Sequence, residues 1–141
     1  MADAIVFFDI GDTLARASLL DGGARLELAV LPEVTASLTA LRDLGVRMGV
    51  LSDRGPVPEP EVRRALDDAG LLIFLEPELL VFGRKDSAEI FRAAAGLAGA
   101  CERVVFVGEN AAERDFASMA GFIVLPRPAL VPAALKRAAT A

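Results

Sequence analysis

Ile5-Val6-Phe7-Phe8-Asp9-Ile10-Gly11-Asp12-Thr13-Leu14 decides how the rest of the chain reads. The apolar run over 4–8 shows no alternation with polar residues, so it predicts a strand buried on both faces, as in a parallel sheet covered by helices. It stops at a carboxylate, and the Gly-Asp-Thr that follows is turn chemistry. Working outward, the same design recurs. A run over 46–51 ends at Ser52, one over 103–107 ends at Gly108-Glu109, and one over 122–125 is stopped by Pro126. The segment 71–82 holds a further strand, broken or bent at Pro77.

Amphipathic segments separate these runs. Pro32 suits a first helical position, followed by a stripe of Val34, Leu38, Leu41 and Leu44 and a stop at Gly45. Val62, Ala65, Leu66 and Ala69 repeat the pattern before Gly70. Asp86 with Glu89 reads as a capping pair ahead of Ile90, Phe91, Ala94 and Leu97. Asn110 with Glu113 caps another helix, with Ala112, Phe116, Met119 and Ala120 as its inward face. A last helix over 132–139 covers one edge. Only 14–30 breaks the rhythm: Asp21-Gly22-Gly23 lies between Leu-rich flanks, as in a hairpin. The expectation is an α/β fold, a mainly parallel sheet with helices on both faces, in a single domain spanning 1–141.

Composition removes many chemistries. The 141 residues include no histidine, no tyrosine and one cysteine, Cys101. A Ser-His-Asp triad, a Cys-His dyad, a Cys/His zinc site and an intrachain disulfide are excluded. Any general acid or base is then a carboxylate or a lysine, and any metal is a hard, oxygen-bound ion such as magnesium. Cys101, with only Arg103 as a basic neighbour, is expected to be inert. The net charge of −5 argues against a nucleic-acid footprint or an anionic membrane surface. No basic segment precedes the first apolar run, and no uncharged stretch reaches the ~18–20 residues of a membrane span. A cytoplasmic protein is the expectation. The mean hydropathy of +0.47 is high for a monomer and suggests that a partner covers some apolar surface.

In an open parallel sheet, ligands sit outside the carboxyl ends of the strands. The polar residues found there are Asp9, Asp12 and Thr13, then Ser52 and Asp53, then Glu109, while Lys85 opens a helix. Clustered carboxylates suit a divalent cation, and a hydroxyl with an ammonium suits a phosphate.

The order of these residues resembles the haloacid dehalogenase-like (HAD) hydrolase superfamily. Residues 5–14 are similar to its first motif, an apolar strand followed by DxDGT. Gly49-Val50-Leu51-Ser52-Asp53 looks like the second, and Lys85-Asp86-Ser87-Ala88-Glu89-Ile90-Phe91 is similar to the third, KPxPEIF. Val105-Phe106-Val107-Gly108-Glu109, running through Glu113 to Ala120-Gly121-Phe122, resembles the fourth, VGDxxxD followed by AGM. Strands often end in Asp or Ser, so no single motif carries the resemblance; four in order over residues 5–122 do.

The resemblance implies a three-layer Rossmann-like fold with a hairpin flap after the first strand. It implies Asp9 as the nucleophile that takes a phosphoryl group, and magnesium held by Asp9, the carbonyl of Gly11 and Glu109. Ser52 and Lys85 would hold the phosphate, with Asp53 assigned beside them; alternatively Asp53 fixes the loop before Pro56. Thr13 and Glu113 would support the site, Glu113 by orienting Lys85 or a metal-bound water. The implied activity is a magnesium-dependent phosphomonoester hydrolase acting on a phosphorylated small molecule or macromolecule. Two departures stand out. Gly11 occupies the place of the family's second aspartate, the general acid and base, and Asp12 occupies the place of its glycine; Asp12 either substitutes as the acid or is a turn residue. Glu109 replaces the usual aspartate.

The rival reading is a non-catalytic module that binds a phosphorylated ligand or a partner protein. A response-regulator receiver domain is set aside because Lys85 precedes the Glu109 strand. Thr13 and Ser52 are separated by 38 residues and Ser52 and Lys85 by 32, gaps that the hairpin, two helices and a strand consume. No cap domain fits, which disfavours a dehalogenase and predicts an open site with self-association as a homo-oligomer across it.

Overall fold

A computed structural model describes residues 3–99 and 103–140, so Cys101 lies outside the described residues. The opening run forms β1 (Ala4–Phe8), with all of its residues buried. The 14–30 segment is the expected flap: β2 (Ala15–Leu20) and β3 (Arg25–Val30) pair antiparallel around a 3-10 turn at Asp21–Gly23. The main sheet is completed by β4 (Arg47–Ser52), β5 (Leu80–Phe82), β6 (Arg103–Val107) and β7 (Ile123–Leu125). Its five strands run in the order β5-β4-β1-β6-β7, and every pairing is parallel. Phe8 pairs with both Val50 and Val107, so Asp9, Ser52 and Gly108 follow at one edge of the sheet.

Helices cover both faces. Ala4, Val6 and Phe8 pack with buried residues of α1 (Val34–Asp43) and α2 (Glu59–Asp68). Ile5 and Phe7 pack with those of α3 (Ala88–Ala98) and α4 (Ala111–Met119). Phe91 of α3 meets Phe106 edge-on at 5.0 Å and Phe122 at 5.6 Å, which locks α3 onto β6. Each such ring contributes roughly 1.5–3 kcal/mol by burial. Gly49 lies in β4 because an added Cβ would fall 2.4 Å from the carbonyl oxygen of Leu79. Among the described residues, no helix is long and apolar enough to cross a membrane.

The structure corrects several local expectations. Pro32 does not begin α1; Glu33 precedes the helix with φ 70°, and its carbonyl accepts from Ser37 N and Oγ. Asp86 caps nothing, since α3 starts after Ser87 with no side-chain cap. Within 71–82 only Leu80–Phe82 is strand, because two 3-10 turns, one opening at Pro77, consume the rest. The last helix, α5 (Val131–Thr140), packs its Val131 and Leu135 into the core alongside α1. On α4 the inward residues are Phe116, Ala117 and Ala120, while Ala112 and Met119 are exposed. This nine-residue helix buries a narrow stripe, and apolar identity alone does not say which stripe.

The edge of the flap is closed by α2. Leu26 N donates to Glu61 Oε2 at 2.9 Å, and Arg64 Nη2 donates to the carbonyl of Leu26 at 3.0 Å. These side chains replace the partner strand that β3 lacks. Arg64 and the Leu26 amide hold the Glu61 carboxyl down at about 2.

Candidate active site

Asp9 is held at both ends. Its backbone N–H donates to the carbonyl of Val107 at 2.9 Å, tying it to β6. Three donors reach Oδ1: Ile10 N at 2.8 Å, Ser52 Oγ at 2.9 Å and Lys85 Nζ at 3.2 Å. Oδ2 accepts no hydrogen bond among the described residues, which leaves it available to a ligand. Gly108 leaves room for the Phe106 ring beside the site, since a Cβ there would fall 2.7 Å from it.

Lys85 enters from the loop between β5 and α3, and its side chain is only 3% exposed. Its Nζ also faces Glu113 Oε1 at 3.5 Å. Glu113 stands in the first turn of α4, where its backbone N–H donates to Asn110 Oδ1 at 3.0 Å, the expected cap. Glu113 Oε1 is buried without a hydrogen bond. Burial pushes this carboxyl above its ordinary value, and the Asp9 and Glu109 carboxylates push the same way against Lys85.

Thus Asp9, Ser52, Lys85 and Glu113 converge, and the other expected residues stand differently. Thr13 is buried under the loop with its Oγ1 unpaired. Asp53 Oδ1 accepts from Gly55 N at 2.9 Å, the Asx turn of the alternative reading. Asp12 is exposed at φ 60° and lines a groove with Pro32, Glu33 and Arg127. That groove shares no residue with the cleft of about 340 Å³ that opens at Gly11 and Ser52. Nothing lies within 4 Å of where a Gly11 Cβ would stand.

A magnesium ion needs hard oxygen donors. The exposed Glu109 carboxylate, Asp9 Oδ2 and the Gly11 carbonyl, which none of the turn's backbone hydrogen bonds uses, fit that requirement with water completing the shell. Among the described residues no group of three or more acidic, histidine or cysteine side chains is arranged around a metal, so two carboxylates are the limit.

Sequence reasoning missed Arg54 and Arg114. Arg54 borders the cleft and donates through Nη1 to the carbonyl of Val57 at 2.9 Å. Arg114 Nη1 donates to the carbonyl of Gly108 at 2.8 Å, bracing the loop that carries Glu109. The only signal was position: each follows directly on a residue already singled out.

No family model matches the sequence, and no curated protein matches it. Solved structures do. An uncharacterised protein from Listeria monocytogenes serotype 4b superposes with a TM-score of 0.77 at 15% identity, over 98% of this chain and 99% of that one. D,D-heptose 1,7-bisphosphate phosphatase from B. bronchiseptica, complexed with magnesium and phosphate, gives 0.70 at 15% identity over 98% and 99%. A HAD-superfamily hydrolase from Ehrlichia chaffeensis gives 0.67 at 11% identity over 96% and 97%. The chain therefore has the HAD-like, Rossmann-like fold, and at these identities the likeness establishes the fold alone.

Proposed function

We propose that the chain is a magnesium-dependent phosphomonoester hydrolase that carries the phosphoryl group on Asp9. The convergence of Ser52 Oγ and Lys85 Nζ on one oxygen of Asp9 carries this reading. Both donors stand beside Asp9, where they can reach the oxygens of a phosphoryl group carried on it, and Oδ2 remains to attack phosphorus. In the first step the Asp9–phosphorus bond forms and the bond to the ester oxygen breaks, the electron pair leaving with that oxygen, which takes a proton from water. Water then attacks phosphorus and gives up a proton to solvent, the bond to Asp9 breaks, and the carboxylate and inorganic phosphate are released. Two easier substitutions replace one hard one.

Ser52 and Lys85 stabilise the charge on the transferring group from fixed positions. Glu113 gives Lys85 a second carboxylate partner beside Asp9. Asp9, Glu109 and the Gly11 carbonyl would hold magnesium, which when bound supplies positive charge beside the phosphoryl oxygens. The magnesium and phosphate of the heptose bisphosphate phosphatase structure support this reading through the shared fold.

A binding module without turnover is the second reading, favoured by Gly11, which offers no general acid or base. Hydrolysis of p-nitrophenyl phosphate separates the two. Phosphate release that needs magnesium and stops in Asp9→Asn supports the hydrolase; phosphate binding without release supports the module.

A further inference from the structure

We infer that the site takes phosphate esters of phenols on an apolar body in preference to those of sugars and other alkyl alcohols, an inference that rests on the phosphatase reading. The space assigned to the leaving group is the cleft lined by Gly11 and Ser52, whose hydroxyl donates to Asp9. Its floor is core: Ile10, Leu26, Val57 and Val62 are all buried. Its outer wall is Leu19 of β2, the direct cross-strand partner of Leu26 and 55% exposed. Glu61 and Arg64 pin the Leu26 backbone, so this wall is preformed.

The polar residues of the cleft, Ser52, Asp53 and Arg54, stand together at one side of this floor, where Asp53 Oδ1 accepts from Gly55 N and Arg54 Nη1 donates to the Val57 carbonyl. A sugar placed against this floor would lose water without regaining hydrogen bonds, whereas an aromatic ring would lose none. The absence of an acid at position 11 selects in the same direction. An alkoxide needs a proton to depart, while a phenolate leaves with the electron pair of the broken phosphorus–oxygen bond and takes its proton later from water. Shape and chemistry thus act together on one end of the substrate.

Calorimetry on the whole chain with magnesium tests this without turnover, using 2-naphthylphosphonate and methylphosphonate as probes. The naphthyl compound is expected to bind at least about tenfold tighter, equivalent to about 1.4 kcal/mol. Leu19→Ser, at an exposed position that does not threaten folding, is expected to remove most of that advantage. Equal affinities, or an advantage untouched by Leu19→Ser, overturn the inference. A parallel comparison of kcat/KM for 2-naphthyl phosphate and glucose 6-phosphate distinguishes the two levels. Equal values overturn the phenol preference and leave the phosphatase reading standing. Preferential phosphonate binding with no hydrolysis of any ester overturns the phosphatase reading and keeps the preference of the cleft. No binding and no hydrolysis overturn both.

Discussion

Lys85 Nζ lies 3.2 Å from Asp9 Oδ1 although the two residues are 76 positions apart in the chain. The ammonium is almost wholly buried and is tolerated because a second carboxylate, Glu113, faces it at 3.5 Å. A cation so placed is oriented before any ligand arrives, and the protein spends no reorganisation on it when charge develops.

Asp9→Asn preserves shape and the acceptor for Ser52 while removing the nucleophile. Hydrolysis is expected to fall by on the order of 10⁴-fold or more, with magnesium affinity lost and the circular dichroism spectrum unchanged. Unchanged magnesium binding in calorimetry would show that the metal sits elsewhere.

Lys85→Met leaves Asp9 and Glu113 facing each other without a counter-charge. Unfolding in urea is expected to show a loss of about 2–4 kcal/mol, in line with breaking a largely buried ion pair. A loss of a few tenths would mean that the pair is effectively solvated.

Exchanging the order to Gly11→Asp with Asp12→Gly restores a carboxylate where the cleft opens. The space at position 11 is empty, and position 12 has φ 60°, which glycine adopts more readily than aspartate. Hydrolysis of alkyl phosphates is expected to rise at least about tenfold, the lower part of the range for general acid–base help. Asp12→Ala in the native background should leave hydrolysis unchanged; if it abolishes activity, Asp12 is the acid.

Burial raises the Glu113 carboxyl above its ordinary value of 4.5, so the folded protein holds this proton more tightly than the unfolded chain. Stability from this group is therefore present in acid and declines as pH rises from about 4.5 through the raised value. Metal-free urea titrations across that window should show a decline in the native protein that Glu113→Gln lacks. Parallel profiles would refute the assignment.

Glu61 works in the opposite sense. Its carboxyl is lowered to about 2 by Arg64 and the Leu26 amide, so its support of the flap is complete above 4.5 and is lost as pH falls through about 2. Glu61→Ala is expected to speed hydrogen exchange at the Leu26 amide at neutral pH while leaving the β1 amides protected. Equal exchange in both proteins would show that α2 does not hold the flap.

The strands and the residues at their ends were legible in the sequence because burial on both faces imposes an uninterrupted apolar run, as in Ala4–Phe8 and Arg103–Val107. The flap was legible from Asp21-Gly22-Gly23, and the cap of α4 from Asn110 and Glu113. Those are local patterns with local causes. The inward face of α4 was not legible: Met119 is as apolar as Phe116 yet is 67% exposed, because the packing of the helix against its neighbours decides which side it buries. Nor was the separation of Gly11 from Asp12. Adjacent in sequence, they open onto two different grooves, since a left-handed residue at Asp12 turns the chain between them. The groups that stand at the carboxyl edge of the sheet follow from the order of residues along the chain, since each closes an apolar run. Which of them meet depends on strand register and loop path, set by packing across the whole core, which bring Ser52, Lys85 and Glu113 together at Asp9 and place Asp12 in the groove lined by Pro32, Glu33 and Arg127.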